Sequence, residues 1–281
     1  MSEKPASFEP FAEELAYIRV NERLVDRLVR HLPGKPTIKL LDIAAGTGLM
    51  TLLACDRAKK AGSKLLSTLL DIDLPALHQA RLDVPHDITE GVLYASAANI
   101  PLVEHYDAVI FANSLHLLDG ESKAHALAET YRVLKPGGVI AINSTFYDGA
   151  YPEESKPFYS RWIRRSIVEI NRRMPNREKG ERVQAMEFLP AQTYLDLIKG
   201  AGFNIVETRE RRVLLSQSAV RAISAYAEFA KGALHASDED ALEASAVLQS
   251  TVQQTFRDLK MKYLPRIWLE IIAVKASPAT T

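Results

Sequence analysis

Residues 39–50, KLLDIAAGTGLM, decide the fold of this 281-residue chain. An apolar run that ends at Ile43 is the pattern of a strand covered on both faces, and the turn that follows it contains Gly46 and Gly48. Glycine has no Cβ, so it tolerates positive φ angles and lets a bound molecule approach the main chain. The stretch therefore predicts a buried strand, a glycine-containing turn and a helix that begins at Leu49.

Two aspartates end neighbouring strands. Asp42 lies at the end of the first strand, and Asp71 directly follows a second apolar run, residues 64–70. A helix with Asp73 as its N-cap and Pro75 in its first turn is expected after the second strand. In an open α/β sheet, the carboxyl ends of the strands face the crevice in which ligands bind. We therefore expect Asp42 to accept a hydrogen bond from a ligand or to brace the loop, and Asp71 to accept from both hydroxyls of a ribose.

The glycine turn departs from the dinucleotide-binding fingerprint. The pattern G-x-G-x-x-G needs a third glycine to pack the helix against the strand, but the three positions here are Ala44, Gly46 and Leu49. An NAD-dependent dehydrogenase is therefore disfavoured. The form D-x-A-x-G-T-G, with Asp42 in front and Thr47 between the two glycines, instead resembles motif I of the class I S-adenosylmethionine-dependent methyltransferases.

Three later segments resemble the same family in the same order. They are the stretch that lines the adenine, the fourth strand, and the turn before the fifth strand, at residues 96–101 (SAANIP), 106–111 (YDAVIF) and 131–138 (YRVLKPGG). The resemblance covers residues 40–144 well and residues 189–208 moderately. Two residues differ from the usual pattern. Ala44 replaces a frequent first glycine, which is a mild change because alanine is small, and Ser96 replaces a frequent aspartate by a weaker acceptor.

The resemblance implies the residues of a cofactor site for S-adenosylmethionine. They lie on the N-terminal helix, in the glycine turn and at the ends of the next three strands: Tyr17, Asp42, Ala44, Gly46, Thr47, Gly48, Asp71, Ile72, Ser96, Ala97 and Asn113. Arg19 is an alternative to Tyr17 as the contact of the methionine carboxylate, and neither is needed there if the helix only covers the sheet edge. His116, in the loop after the fourth strand, is the candidate catalytic base, and a histidine that only hydrogen-bonds to the backbone is the alternative.

The order of the predicted elements gives the fold class. Strands alternate with helices between residues 38 and 144, which predicts an α/β protein with a parallel sheet sandwiched by helices. The full prediction is a Rossmann-like sheet with an antiparallel terminal strand and helical lid insertions. The predicted parts follow in chain order: an N-terminal helical lid (1–36), the cofactor-binding core (37–148), a helical insertion (149–188), a core helix and strand (189–215), a second insertion (216–264), and a terminal strand with a tail (265–281).

The two insertions contain amphipathic helices. One is predicted over residues 158–174, and two over the second insertion, the first of them at 219–234. Five arginines share the polar side of helix 158–174: Arg161, Arg164, Arg165, Arg172 and Arg173. Such a set can bind a substrate carboxylate or phosphate, but a solvated charged face is the more usual role. We interpret the insertions as a lid that builds the acceptor pocket. Surface or dimerisation helices are the alternative, so a homodimer stays open.

Composition and patterning exclude several classes of protein. Lys plus Arg and Asp plus Glu number 35 each, so no overall field attracts nucleic acid or an anionic membrane. The first ten residues contain no apolar leader and no run of about 18 apolar residues occurs, which favours a cytoplasmic protein without a membrane span. Five further histidines have no cysteine or carboxylate at ligand spacing, so no metal site is predicted: His78, His86, His105, His125 and His235.

These patterns predict a methyltransferase that acts on a small acceptor. The resemblance implies transfer of a methyl group from S-adenosylmethionine, and we expect an apolar or aromatic acceptor that is methylated on oxygen or carbon. A protein that binds the same nucleoside without methylating, as a scaffold for a rearrangement or as a sensed ligand, is the alternative. Sequence alone does not separate the two, because both need the same glycine turn and the same ribose carboxylate.

Overall fold

The computed structural model describes residues 8–103, 105–178, 180 and 187–277. Its strands are β1 (Thr37–Ile43), β2 (Lys64–Asp71), β3 (Thr89–Tyr94), β4 (Tyr106–Ala112), β5 (Leu134–Ser144), β6 (Phe203–Leu215) and β7 (Leu264–Lys275). Its α-helices are α1 (Glu9–Ala12), α2 (Leu15–Arg30), α3 (Leu49–Lys60), α4 (Leu74–Asp83), α5 (Gly120–Val133), α6 (Lys156–Arg173), α7 (Ala191–Gly200), α8 (Gln217–Ser224), α9 (Ala227–Leu234) and α10 (Ala241–Asp258).

The strands form one sheet in the order β3-β2-β1-β4-β5-β7-β6. Strands β1 to β5 pair in parallel, and β7 runs antiparallel to β5, with Asn143 opposite Glu270. This arrangement confirms the predicted Rossmann-like α/β fold and its antiparallel terminal strand. The strand order reverses at β1, which pairs with β2 on one side and with β4 on the other. The loops after β1 and β4 therefore open at the same edge of the sheet, where such folds bind ligands.

The central strands are apolar because helices cover them. Every residue of β4 is buried, and helices α2 and α3 pack over the sheet through a core that includes Leu28, Ile110 and Ile272. A second cluster joins β2 to α4 through Leu69 and Leu77. Apolar burial of this kind stabilises a fold by about 25 cal/mol per Å² removed from water, and here it fixes the strand ends that carry the predicted site.

Contacts divide the chain into two compact units. The core unit contains Val20–Thr145, Leu189–Arg211 and Leu269–Thr281, and the helical unit contains Met1–Arg19, Phe146–Phe188 and Arg212–Trp268. The helical unit thus gathers both predicted insertions. The predicted N-terminal part, residues 1–36, is divided between the units, because the later turns of α2 pack into the core of the sheet.

Helix ends follow the local signals in most places. Asp73 is the N-cap of α4, because its carboxylate accepts a hydrogen bond from the Ala76 N–H at 3.0 Å. The prediction of one helix over residues 219–234 is wrong, since α8 and α9 are separate helices. Tyr226 between them has an extended backbone (φ −77°, ψ 119°), and its ring lies edge-on to that of Phe8 at 5.5 Å. Across the described parts of the chain, no helix has the length and apolar character needed to span a membrane.

Candidate active site

The turn between β1 and α3 has left-handed backbone at three positions. The φ angles are 54° at Ala44, 53° at Gly46 and 89° at Gly48. A residue with a Cβ loses about 1 to 2 kcal/mol in this conformation, so Ala44 carries backbone strain. Alanine in place of the family's frequent glycine at position 44 therefore affects the backbone conformation as well as the size of the side chain.

The two glycines of this turn are required for different reasons. Apart from its own chain neighbours, no described residue has a heavy atom within 4 Å of the position that a Cβ on Gly46 would occupy, so the main chain there faces open space. A Cβ on Gly48 would lie only 2.4 Å from Val84 Cγ2 and 3.3 Å from Leu69 Cδ2. Gly46 is thus placed for the approach of a ligand to the backbone. For Gly48, the left-handed backbone and the packing of α3 against β2 and the end of α4 both require glycine, whereas the sequence suggested room for a ligand.

Asp71 braces the glycine turn from the end of β2. Its Oδ2 accepts a hydrogen bond from the Gly46 N–H at 2.7 Å, and its Oδ1 accepts from the N–H groups of Ile72 and Asp73 at 2.7 and 2.9 Å. An ionised carboxylate has about four acceptor positions, so one of them, on Oδ2, remains beside the turn. The side chain is only 8% exposed. This geometry fits a contact with one ribose hydroxyl better than the predicted pair, and it gives Asp71 a structural role that the sequence did not show.

The surface beside Asp71 can receive a flat ring. Ile72 is apolar and yet 67% exposed, which is the pattern of a contact surface for a ligand. Across from it, the turn after β3 begins at Ser96, whose Oγ accepts a hydrogen bond from the Ala98 N–H at 3.2 Å, and Ala97 between them is half-buried. Thr47 is also half-buried in the glycine turn. The parallel pairing of β2 with β3 brings these residues to one edge, as the prediction requires. Their contacts with a nucleoside stay predictions.

Asp42 is deeply buried and bonded within the protein. Its side chain is 1% exposed, and its Oδ2 accepts a hydrogen bond from Thr51 Oγ1 at 2.8 Å in the first turn of α3. Burial raises the pKa of Asp42 from 3.8 to about 7, although Thr51 opposes the rise, and the negative charge of Asp71 adds to it. Of the two predicted roles, the structure shows bracing, because Asp42 holds the start of α3 behind the glycine turn.

The buried carboxyl group predicts a pH dependence of stability. Because its pKa is about 7 in the folded chain and 3.8 when exposed, the folded chain keeps the proton between these values while the unfolded chain releases it. The free energy of unfolding should therefore fall as pH rises through this window. Asp42→Asn removes the titration and should flatten the profile, with a gain at about pH 8 of up to about 4 kcal/mol. Urea unfolding at several pH values measures this effect, with Asp83→Asn on the exposed end of α4 as the control. Identical slopes in Asp42→Asn and wild type would contradict the buried titration.

Three asparagines fix the loop after β4. Asn113 has a φ of 54°, and its N–H donates to the main-chain oxygen of Asn143 at 2.9 Å and to the Asn143 Oδ1 at 3.0 Å. The Oδ1 of Asn21, on α2, accepts from the side-chain amides of Asn113 at 3.1 Å and of Asn143 at 2.9 Å. The predicted cofactor residue Asn113 is therefore part of a polar cluster. Asn21 and Asn143 were missed, although an asparagine inside an apolar stripe or strand is the signal that reveals such residues.

His116 lies in the 3₁₀ turn Leu115–Leu117, at the same edge of the sheet as the glycine turn. It is 4% exposed, and its Nδ1 lies 3.1 Å from the Oγ of Ser144 at the end of β5. This side-chain contact distinguishes His116 from a histidine that only hydrogen-bonds to the backbone. The sequence did not point to Ser144, because the pairing of β4 with β5 is needed to bring the two residues together.

Tyr17 belongs to the helical unit. Its ring is buried against Phe8 and Phe11, with ring centroids 5.3 and 5.0 Å apart, and Arg19 is exposed. Its predicted contact with the methionine carboxylate stays a prediction. Within the same unit, a pocket of about 630 Å³ is lined mostly by aromatic and aliphatic side chains, among them Tyr151 and Phe229. This volume is in the range of pockets that hold small organic ligands.

Comparison with known proteins finds a family model that matches this core. The model of a methyltransferase domain matches residues 40–138, which contain the glycine turn, Asp71 and His116. A ubiquinone/menaquinone biosynthesis C-methyltransferase of Rickettsia akari is 29% identical over 188 residues, which are 64% of this chain and 74% of that protein. A malonyl-(acyl-carrier protein) O-methyltransferase of Salmonella typhimurium is 33% identical over 138 residues, 48% of this chain and 49% of that protein.

Solved structures share the fold at low sequence identity. The 4+2 cyclase SpnF superimposes with a TM-score of 0.55 over 93% of this chain and 82% of its own, at 18% identity. This likeness concerns the fold alone. Taken together, the matched domain, the two relatives and the glycine turn with its braced aspartate support a class I S-adenosylmethionine-dependent methyltransferase.

Proposed function

We propose that this enzyme methylates an oxygen or carbon atom of a small apolar or aromatic acceptor. The observation that carries the proposal is the arrangement at one edge of the core sheet. There Asp71, at the end of β2, braces the glycine turn that follows β1. At the same edge His116, in the loop after β4, forms a buried pair with Ser144 at the end of β5. The relatives are named for methylation of carbon in one case and of oxygen in the other, which supports these two reaction types.

The residues present fit the cofactor. The open main chain at Gly46, the remaining acceptor position of Asp71 and the exposed Ile72 would hold its nucleoside, with Ser96 at the adenine. When bound, S-adenosylmethionine supplies a methyl group that its sulfonium already activates toward a nucleophile. The protein then has to orient the acceptor, exclude water and, for a hydroxyl or carbon acid, take a proton.

The hydrogen bond between His116 and Ser144 decides whether His116 can take that proton. If Nδ1–H donates to the Ser144 Oγ, Nε2 is the basic nitrogen; if the hydroxyl donates to Nδ1, Nε2 carries the proton and is a donor. We propose the first arrangement for the acceptor complex. Ser144 then sets the tautomer of His116, as a second hydrogen-bonding group commonly does for a catalytic histidine.

His116→Ala is expected to lower the turnover number by ~100-fold while the affinity for S-adenosylmethionine stays nearly unchanged. The reason is that cofactor binding does not require the proton transfer. Steady-state kinetics measures the turnover numbers of the variant and the wild type. His125→Ala, which removes an exposed histidine of α5, is the control. A turnover number for His116→Ala above half of the wild-type value would reduce His116 to a role in holding the loop.

The reaction itself is tested with methyl-labelled S-adenosylmethionine. The wild type is incubated with phenolic, quinonoid, carboxylate and amine acceptors, and both label transfer and S-adenosylhomocysteine are followed. Transfer to an oxygen or carbon atom supports the proposal, and exclusive transfer to an amine contradicts the proposed reaction type. Tight cofactor binding without any S-adenosylhomocysteine, once the native acceptor is supplied, would favour the non-methylating alternative. The fold does not decide this question, because a cyclase has the same fold.

A further inference from the structure

The arginines of α6 do not act as one set. Arg172 and Arg173 bind Glu169 at 2.8 and 2.6 Å, and Arg165 binds Asp258 of α10. These pairs are mostly exposed and contribute little to stability. The described lining of the groove beside these pairs contains more arginines than carboxylates: Arg161, Arg164, Arg165 and Arg173 against Glu169 and Asp258. For three of the five arginines, the structure thus shows the solvated charged face that the sequence favoured, with each of the three paired to a carboxylate.

Arg161 and Arg164 differ from the three paired arginines. Among the residues whose positions are described, neither has a hydrogen-bond or ion-pair partner, and both are exposed. Of the two, Arg164 lines the mostly apolar pocket of about 630 Å³ in the helical unit, together with Tyr151, Ile163 and Phe188. No aspartate or glutamate is found among the described lining residues of that pocket. A guanidinium without a carboxylate partner at a mostly apolar pocket is the arrangement that recognises an anion on an apolar body.

One wall of the pocket is held in place by a second arginine. Arg266 is 3% exposed, its guanidinium carbon lies 3.8 Å from the ring centroid of Tyr151, and its Nη1 donates to the Tyr159 hydroxyl at 3.2 Å. The rings of Tyr151 and Phe188 are themselves 5.2 Å apart. Because cation–π contacts and the hydrogen bond fix these rings, the wall is pre-organised before a ligand enters. The buried charge behind it also favours an anionic ligand over a cationic one.

We propose that this pocket binds an aromatic or aliphatic carboxylate, with the apolar body against Tyr151, Ile163 and Phe188 and the carboxylate on Arg164. The proposal names the class of acceptor for the proposed function. It rests on that function because it takes the bound acid to be the molecule that the enzyme methylates. The volume suits one bicyclic ring system or one medium-length chain. Arg164 is suited to a carboxylate because its planar guanidinium can donate two parallel hydrogen bonds to the two oxygens.

The test compares matched acids and amides on the full-length protein without cofactor. 2-Naphthoate and decanoate are titrated by calorimetry against wild type, each beside its primary amide, which has the same shape and no charge. We expect at least one acid to bind at least tenfold more tightly than its amide. Arg164→Gln should abolish this preference while amide binding stays within about twofold. Arg172→Gln, on the same helix but paired with Glu169 in solvent, should behave as wild type.

Three results would overturn the proposal. They are the absence of binding by either acid below about 1 mM, equal affinity for acid and amide, and an unchanged acid preference in Arg164→Gln. Circular dichroism of both variants shows that the helices are intact. Because the assay contains no cofactor, its failure leaves the methyl transfer reaction untouched, and a wild type that binds the acids but transfers no methyl group would contradict only the proposed function.

Discussion

Asp71→Ala is expected to weaken the binding of S-adenosylmethionine by about 2 to 4 kcal/mol. The loss has two physical sources. The variant lacks the proposed acceptor for a ribose hydroxyl. It also leaves the N–H groups of Gly46, Ile72 and Asp73 without their carboxylate partner, so the glycine turn is no longer held in place. Isothermal titration calorimetry gives the affinity directly.

The double role of Asp71 changes what the variant does to the fold. From the sequence, the fold should stay intact because Asp71 only ends a strand, but three backbone hydrogen bonds depend on it. We therefore expect a lower melting temperature as well, from a loss of about 1 to 3 kcal/mol. Asp83→Ala, at the exposed end of α4, is the control for both measurements. Unchanged cofactor affinity in folded Asp71→Ala would remove Asp71 from the ribose site.

Gly48→Val is expected to destabilise the protein by about 3 to 5 kcal/mol, the largest effect of any change in the turn. The new Cβ would overlap Val84 Cγ2 at 2.4 Å, and a φ of 89° strains a β-branched residue. Thermal unfolding of the purified variant measures the loss. Cofactor binding should fall as well, because α3 can no longer pack against β2 and keep the turn in shape.

Gly46→Val separates packing from ligand approach. Beyond its chain neighbours, the described part of the chain has no heavy atom within 4 Å of the Cβ position, so the left-handed backbone is what opposes the substitution, at about 1 to 2 kcal/mol. The variant should therefore stay folded and lose cofactor binding, because its side chain fills the space over the turn. Normal affinity in Gly46→Val would show that the ligand does not approach this stretch of main chain, and stability of Gly48→Val equal to wild type would contradict the packing account.

The sequence predicts the parts of the molecule that local signals determine. The turn from β1 into α3 follows from two glycines after an apolar run, and the start of α4 follows from Asp73 and Pro75. Asp71 could be placed beside the glycine turn because parallel strands end at one edge of a sheet. The full prediction extends these local patterns to a Rossmann-like sheet with the antiparallel β7.

Contacts between distant residues account for what the sequence did not predict. Val84 is one reason for glycine at position 48, yet nothing near Gly48 in the sequence points to it. Asn21 and Asn143 meet Asn113 only after α2 and β5 pack around β4. The break between α8 and α9 likewise depends on the packing of Tyr226 against Phe8. In each case the propensities of the chain are compatible with several arrangements, and tertiary packing selects one of them.

The arginines on the polar side of α6 likewise show what the sequence alone does not predict, here about function. Their spacing is that of a solvated face, and most of them are paired with carboxylates. Arg164 cannot be told from Arg165 by sequence. The structure shows that Arg165 is paired with Asp258, whereas Arg164 lines the pocket beside the aromatic wall and has no partner among the described residues. A binding role for one arginine is therefore a structural inference, whereas the charged face as a whole is a sequence-level one.

The most direct test of the account is a calorimetric titration of the wild-type protein with S-adenosylmethionine, followed by the same titration with NADH. We expect one S-adenosylmethionine per chain, no heat from NADH, and displacement of the bound cofactor by S-adenosylhomocysteine, which shares the adenosine that Asp71 and Gly46 are proposed to hold. A folded wild type that binds no S-adenosylmethionine, or that binds NADH in competition with it, would contradict the assignment of the glycine turn as a methyl-donor site.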